Sequence, residues 1–193
     1  MLEKAVAFSH QLLKNTVKIG DTVIDATVGK GNDTLFLASL VGKTGQVIGF
    51  DVQEEAIVFT EQKCINNGVS SHVTLHQVSH EHAHTYVAAD TELGGIIYNL
   101  GYLPGSDKSI TTLCESTVSS IHTLLPRLRI GSLMILVVYS GHSTGKIEKQ
   151  GILDYVERLN QDYYSVLRYE FINQKNNPPF LLAIEKRKHV LTS

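Results

Sequence analysis

The sequence predicts an α/β fold: a mostly parallel sheet of seven strands, covered by helices on both faces and finished by an antiparallel hairpin. Three observations carry this. Short apolar, β-branched runs alternate with helical segments along the 193 residues, the pattern of a parallel sheet buried on both faces. A glycine turn, Gly29-Lys-Gly31, follows the first such run. The last two runs are joined by residues 173–178 alone, too few for a crossover helix, so they must pair antiparallel.

The elements follow in order. An opening helix is expected over 2–17, with Val6, Leu12, Leu13 and Val17 on its apolar stripe. Strands are expected at 22–28, 46–51, 73–78, 95–99, 133–139, 165–172 and 179–185, and helices between them at 32–40, 53–67, 80–88, 109–128 and 143–160. Length favours one domain over 1–193, an N-terminal helix within 1–20 followed by the sheet core at 21–193.

Composition narrows the class. Hydrophobic residues make up 42% of the chain and mean hydropathy is near zero, as in a soluble globular protein, and no run is long enough to cross a bilayer. The N-terminus has Glu3 beside Lys4 and no cleavage-site pattern, so no signal peptide is expected and a cytoplasmic address follows. Cys64 and Cys114 are the only cysteines, which suits a reducing compartment and argues against a disulfide framework. A net charge of −2 gives no global attraction to nucleic acid. Such contact must rest on local cations, of which Lys146, Lys149 and Arg158, Arg127 and Arg129, and Lys186-Arg-Lys-His189 are candidates; each also suits a solvated face.

The glycine turn points to a nucleoside cofactor. Gly29 and Gly31 allow a sharp turn and a close approach of bare backbone, and Asn32 or Asp33 can cap the next helix. Asp51, twenty-two residues beyond Gly29, falls at the tip of the second strand, where a carboxylate can accept both hydrogen bonds of a ribose diol. Gly29-Lys-Gly31-Asn-Asp-Thr34 also matches five of the six positions of the dinucleotide fingerprint, so an NAD-dependent oxidoreductase is a rival. Asp25 inside the first strand, with Thr27, Asn32 and Asp33 around the turn, would repel a pyrophosphate and attract the ammonium of S-adenosylmethionine. Asp25 could instead cap local backbone amides.

Parallel units ending in an antiparallel hairpin resemble the Rossmann-like class I fold of S-adenosylmethionine-dependent methyltransferases. That resemblance implies the strand order 3-2-1-4-5-7-6, with the cofactor across the carboxyl ends of strands one, two and four. The fourth strand ends at Asn99-Leu-Gly-Tyr102, which keeps the Asn-x-x-Tyr spacing of amino-group N-methyltransferases, although Leu100-Gly101 replaces their usual proline pair. A strand-end amide oxygen can accept the hydrogens of an amine and aim its lone pair at a sulfonium methyl, and an aromatic three residues on can stack on a planar base. Asn99 could equally just end its strand before an ordinary turn.

Catalytic candidates are Asn99, Tyr102, Tyr139 and His142, the last just beyond the fifth strand, where it could orient substrate or cap the next helix. An alkylamine is mostly protonated at neutral pH, so a base or a desolvated site is needed. Asp33, Asp107, Tyr139 and His142 are the nearby groups. The expected cofactor shell is Asp25, Thr27, Gly29, Gly31, Asn32, Asp33, Asp51, Gln53, Asn99 and Gly101, with Ser79 and His80 lining the adenine pocket. The expected substrate shell is Tyr102, Pro104, Asp107 and Lys108 after the fourth strand, Lys146, and Asn173, Gln174, Lys175 and Asn177 in the hairpin turn. No metal is expected, because His72 and His76 on one strand lie roughly 13 Å apart and no cysteine or carboxylate pair joins His80 and His84.

Several segments together resemble one family more closely than the fold alone: Asp25-Ala-Thr-Val-Gly-Lys-Gly-Asn-Asp-Thr34, Phe50-Asp-Val-Gln53, Asn99-Leu-Gly-Tyr-Leu-Pro-Gly105 with Asp107-Lys-Ser-Ile-Thr-Thr112, Tyr139-Ser-Gly-His142, and Phe171-Ile-Asn-Gln-Lys-Asn-Asn-Pro-Pro-Phe180. They are similar to a small bacterial family that carries the label rRNA methylase. That family is associated with the tRNA methyltransferase that converts 5-aminomethyl-2-thiouridine at the wobble position to its methylaminomethyl form. The resemblance implies S-adenosylmethionine as cofactor and the anticodon stem-loop of tRNA as partner, with no membrane; a homodimer is left open. A methyltransferase for rRNA or a small molecule, and a non-catalytic binding module, are the remaining rivals.

Overall fold

The computed structural model describes residues 1–101, 114–139, 143–175 and 177–189, with the backbone alone for 143–148. Seven strands form one sheet in the order β3-β2-β1-β4-β5-β7-β6, the order implied above. They are β1 (Thr22–Asp25), β2 (Gln46–Asp51), β3 (Val73–Gln77), β4 (Leu93–Leu100), β5 (Leu128–Val138), β6 (Tyr164–Tyr169) and β7 (Phe180–Lys186). β1 to β5 run parallel, while β7 pairs antiparallel with both β5 and β6.

Alternation along the strands divides the core in two. Ile24, Ile48, Ile96 and Tyr98 face one side with Ile121 and Leu124 of α4 (Cys114–Leu124) and Ile152 and Val156 of α5 (Ser143–Val156). Val23, Val47, Ile97 and Ile135 face the other with Leu13 of α1 (Ala5–Thr16) and Leu37 and Val41 of α2 (Asn32–Val41). Burying both faces explains why the strands read as continuous apolar runs instead of alternating ones. The fifth helix, α3 (Glu54–Asn66), packs on β2 and β3.

Four expectations shift. β1 stops at Asp25, but Ala26 N–H still donates to Ile97 (2.9 Å) and Val28 N–H to Phe50 (3.0 Å), so the extended chain continues into the turn. The helix expected at 80–88 is a 3-10 helix, His80–Tyr86. There the Thr85 hydroxyl (2.8 Å) and His84 Nδ1 (3.1 Å) engage carbonyls three residues back, His82 and Glu81, and such local bonds compete with α-helical ones. α4 ends at Leu124, because Pro126 turns the chain through a 3-10 segment, Leu125–Arg127. β5 then begins at Leu128, opposite Leu93, and absorbs an irregularity before Leu133.

Candidate active site

The turn after β1 is built around a close approach. Gly29 and Gly31 have φ of +50° and +68°, and a Cβ on Gly31 would lie 2.6 Å from the Thr60 methyl on α3. Glycine is therefore needed at 31 both for its backbone conformation and for its lack of a side chain. Gly31 is itself the residue that precedes α2, and no side chain caps that helix, so the cap expected from Asn32 or Asp33 is not formed. Asn32 is occupied elsewhere: with the Lys30 carbonyl (2.9 Å) it accepts from Lys63 Nζ on α3 (2.6 Å). The Thr60 hydroxyl donates to the Gly29 carbonyl at 3.3 Å.

Asp51 stands where the ribose argument places it, at the end of β2. Its two oxygens accept the backbone N–H groups of Gly29 (2.9 Å) and Gln53 (3.0 Å). Each carboxylate oxygen keeps a second lone pair for a diol. Gln53 immediately precedes α3. The glycine turn, held against α3 at Thr60, and the Asp51 carboxylate at the strand tip lie side by side, an arrangement that suits the adenosine half of S-adenosylmethionine.

Asp25 behaves differently from the expectation of an ammonium ligand. It is fully buried, its oxygens accepting from the Thr34 hydroxyl (2.6 Å) and Thr27 N–H (3.2 Å). Desolvation, then the nearby Asp33 charge, pushes its carboxyl up to about 7. Its contacts are those of the alternative given above, a carboxylate bracing local groups.

Asp33 occupies the junction between the turn and β4. Its Oδ1 lies 2.6 Å from His10 Nε2 and its Oδ2 accepts the Asn99 amide N–H at 3.2 Å. The Asn99 backbone N–H donates to the Thr27 hydroxyl at 2.7 Å. With its nitrogen committed to Asp33, the Asn99 amide is oriented so that its oxygen is the accepting end. Beside it, Tyr139 packs on the other flank: a Cβ on Gly101 would touch its ring at 3.6 Å. Burial, with a smaller contribution from Asp33, raises the Tyr139 hydroxyl pKa, so the phenol stays a neutral hydrogen-bonding group.

Ser79 precedes the 3-10 helix, its hydroxyl accepting weakly from Glu81 N–H (3.4 Å). The His80 ring is drawn into the protein interior. It is buried edge-on to Tyr98, with Nδ1 3.1 Å from the Ala26 carbonyl and Nε2 3.5 Å from the Thr117 hydroxyl. Burial lowers its pKa to about 4. The ring is therefore neutral, and donation from Nδ1 to Ala26 ties the exit of β1 to the layer containing α4.

The hairpin turn rides the same edge. Tyr169 ends β6 opposite Leu181, and Phe180 begins β7 opposite Val138, so the turn enters β7 at the end of β5 that leads to Tyr139. Asn173, Gln174, Lys175 and Asn177 are exposed, Asn177 with φ of +46°. Phe180 anchors the turn beneath two cations, Arg168 (4.9 Å) and Lys149 (5.0 Å) from its ring centre. Tyr102, Pro104, Asp107, Lys108 and His142 lie outside the described residues, as does the side chain of Lys146. Among the described residues no three His, Cys, Asp or Glu side chains converge as a metal site, and no helix is long and apolar enough to cross a membrane.

His10, Thr34, Thr60 and Lys63 complete the site without having been expected there. Their partners are distant in sequence and belong to other elements, so no local pattern announces them. The one signal was the Asx-rich turn itself, whose polar groups needed donors.

Comparison with known proteins agrees with this geometry. A family profile described as "Putative rRNA methylase" matches residues 47–185. The chain is 30% identical over 192 residues to the tRNA (mnm(5)s(2)U34)-methyltransferase, chloroplastic, of Arabidopsis thaliana, covering 95% of this chain and 70% of that protein. A crystal structure described as a "putative rRNA-methylase" from Clostridium thermocellum superposes with a TM-score of 0.94 at 41% identity, over 96% of this chain and 99% of that one. Another, described as a "putative methyltransferase" from Streptococcus mutans in complex with SAH, gives 0.87 at 37% identity, over 96% and 99%.

Proposed function

This chain belongs to the family described as Putative rRNA methylase, and from that premise we propose that it methylates the primary amine of 5-aminomethyl-(2-thio)uridine at the wobble position of tRNA. It is a methyltransferase that uses S-adenosylmethionine. The observation that carries the acceptor is the Asn99 amide, pinned by Asp33 through its side chain and by Thr27 through its backbone. A fixed carbonyl at a strand tip selects a nucleophile that brings hydrogens to it, as an amine does. The relative from Arabidopsis thaliana is named for the nucleoside mnm(5)s(2)U34 of tRNA, which supports this reading.

S-adenosylmethionine supplies a sulfonium methyl: the amine lone pair forms the N–C bond, the C–S electron pair goes to sulfur, and one proton leaves the nitrogen overall. The protein's share is alignment and desolvation. In this reading Asn99 accepts an amine hydrogen and directs the lone pair, while Tyr102 stacks on the base. Tyr139 and His142 close the acceptor side against water. Asp33 accepts the Asn99 amide N–H and so keeps the amide oxygen free for the amine. Asp51, Gly29, Gly31, Gln53 and Ser79 hold the adenosine half; Asp33 with Thr27 and Asn32 faces the methionine half. Pro104, Asp107, Lys108, Lys146, Asn173, Gln174, Lys175 and Asn177 receive the anticodon stem-loop.

The test is methyl transfer from labelled S-adenosylmethionine to bulk tRNA from cells lacking this gene, followed by nucleoside mass spectrometry. A gain of one methyl on aminomethyl-thiouridine supports the proposal. Intact cofactor binding with transfer only to rRNA or a small amine overturns it.

A further inference from the structure

We propose that His10, on α1, is a positioning residue for methyl transfer: it fixes the Asp33 carboxylate and, through it, the Asn99 amide. The role rests on the acceptor reading above and adds an element to it, since α1 lies outside the turn and strand tips that make up the cofactor edge.

A carboxylate held by one donor can still rotate about its terminal torsion, which is broad and roughly two-fold. Asp33 is held from two sides. Asn99 Nδ2 donates to Oδ2 at 3.2 Å and His10 Nε2 lies 2.6 Å from Oδ1. The Asp33 side chain is only 8% exposed, so water is a poor substitute for either donor, and losing one leaves a buried acceptor unpaired. The imidazole is fixed in turn, stacked on Phe36 of α2 with ring centres 3.9 Å apart and planes 8° from parallel.

α1 can serve as a rigid support. Leu13 is fully buried, Phe8 packs on Tyr169 at 4.4 Å between ring centres, and the Tyr169 hydroxyl donates to the Glu3 carbonyl at 2.7 Å. The helix therefore lies across the sheet from the hairpin end to the glycine turn, and His10 is its only side chain bonded to the turn among the described residues. An approximately 1 Å displacement of an aligning group costs up to about 10²-fold in rate.

The experiment compares His10→Ala and His10→Gln with wild type. Glutamine is chosen because its amide nitrogen reaches about as far as Nε2 and can donate to Asp33. For His10→Ala, kcat on tRNA is expected to fall about 10- to 100-fold, well beyond any rise in the calorimetric Kd for S-adenosylhomocysteine, with KM for tRNA within about threefold of wild type. His10→Gln should recover most of the loss. Independently of turnover, the wild-type protein should show a slowly exchanging imidazole N–H resonance from His10 that disappears in Asp33→Ala, which removes its acceptor. If His10→Ala fails to fold, His10→Gln and the imidazole resonance decide the matter.

Equal kcat for His10→Ala and wild type overturns the role, as does a rise in Kd for S-adenosylhomocysteine that matches the fall in kcat, which would make His10 a cofactor-pocket residue. No recovery in His10→Gln, or no imidazole resonance, overturns it too. A wild-type protein that binds S-adenosylhomocysteine and transfers nothing to tRNA overturns the acceptor reading, and this role with it, whereas active wild type beside an equally active His10→Ala overturns this role alone.

Discussion

The Asn99 amide nitrogen, at the end of β4, donates to the Asp33 carboxylate on the first turn of α2, 3.2 Å away. One hydrogen bond thus joins the tip of β4 to the glycine turn, the two places where the proposal puts acceptor and cofactor. Asn99→Ala should break that junction without disturbing Asp51. The expected result is a fall in kcat of about 10²-fold or more, with S-adenosylhomocysteine affinity retained by calorimetry.

Asp51→Ala should do the reverse. It removes the ribose acceptor and also frees the N–H groups of Gly29 and Gln53. Cofactor affinity is expected to fall about 10- to 100-fold, the range of one or two hydrogen bonds to a charged group. Calorimetry would measure this, and circular dichroism should show the sheet retained.

Gly31→Ala tests the glycine turn by stability alone. It combines a left-handed backbone with a Cβ 2.6 Å from Thr60 Cγ2 and 2.7 Å from Thr60 Oγ1. The expected loss is about 1–3 kcal/mol by denaturant unfolding. Adding Thr60→Ala should restore the steric part only, because the backbone strain remains.

Two buried groups shape the pH dependence in opposite directions. The Asp25 carboxyl is raised from 3.8 to about 7, first by desolvation and then by Asp33. The folded state therefore keeps a proton that the unfolded chain releases, so this stabilisation is full below 3.8 and is lost as pH rises through about 7. His80 is lowered from 6.5 to about 4 by burial, so its contribution is full above 6.5 and is lost as pH falls through about 4. In thermal melts across pH 4–8, Asp25→Asn should flatten the decline toward neutral pH and His80→Asn the decline toward acid.

Lys175→Glu tests the proposed RNA contact of the hairpin turn. Lys175 is exposed, so under that proposal charge reversal should raise KM for tRNA several-fold and leave S-adenosylhomocysteine affinity unchanged. The salt dependence of tRNA binding should lose about one unit of slope for one phosphate contact.

The succession of strands and helices was legible because periodicity separates buried strands from helices, and the closing hairpin because residues 173–178 are too few for a crossover; the order of the strands within the sheet followed only from the resemblance to class I methyltransferases. The place of Asp51 at the tip of β2 was legible from its distance to Gly29, since a strand, turn and helix of ordinary length fix that spacing. What stayed hidden depended on contacts between elements. His10 meets Asp33 only because α1 and α2 pack on the same face of the sheet. Asp25 and Asp33 are both acids beside a glycine turn in the sequence; only packing shows that Asp25 turns to Thr34 while Asp33 turns to Asn99. The inward position of the His80 ring was hidden for the same reason, as nothing local distinguishes a rim histidine from one folded inward against Tyr98.

β7 lies between β5 and β6 although it follows both in sequence. Its insertion therefore closes two ladders at once, matching Leu133 with Glu185 on one side and Tyr164 with Lys186 on the other. Until it arrives, the apolar run of β5 from Met134 to Val138 has a bare hydrogen-bonding edge, an adhesive surface for another unfinished copy. Because pairings between remote segments form slowly, refolding yield should be governed by competition between β7 docking and association, and should improve on dilution.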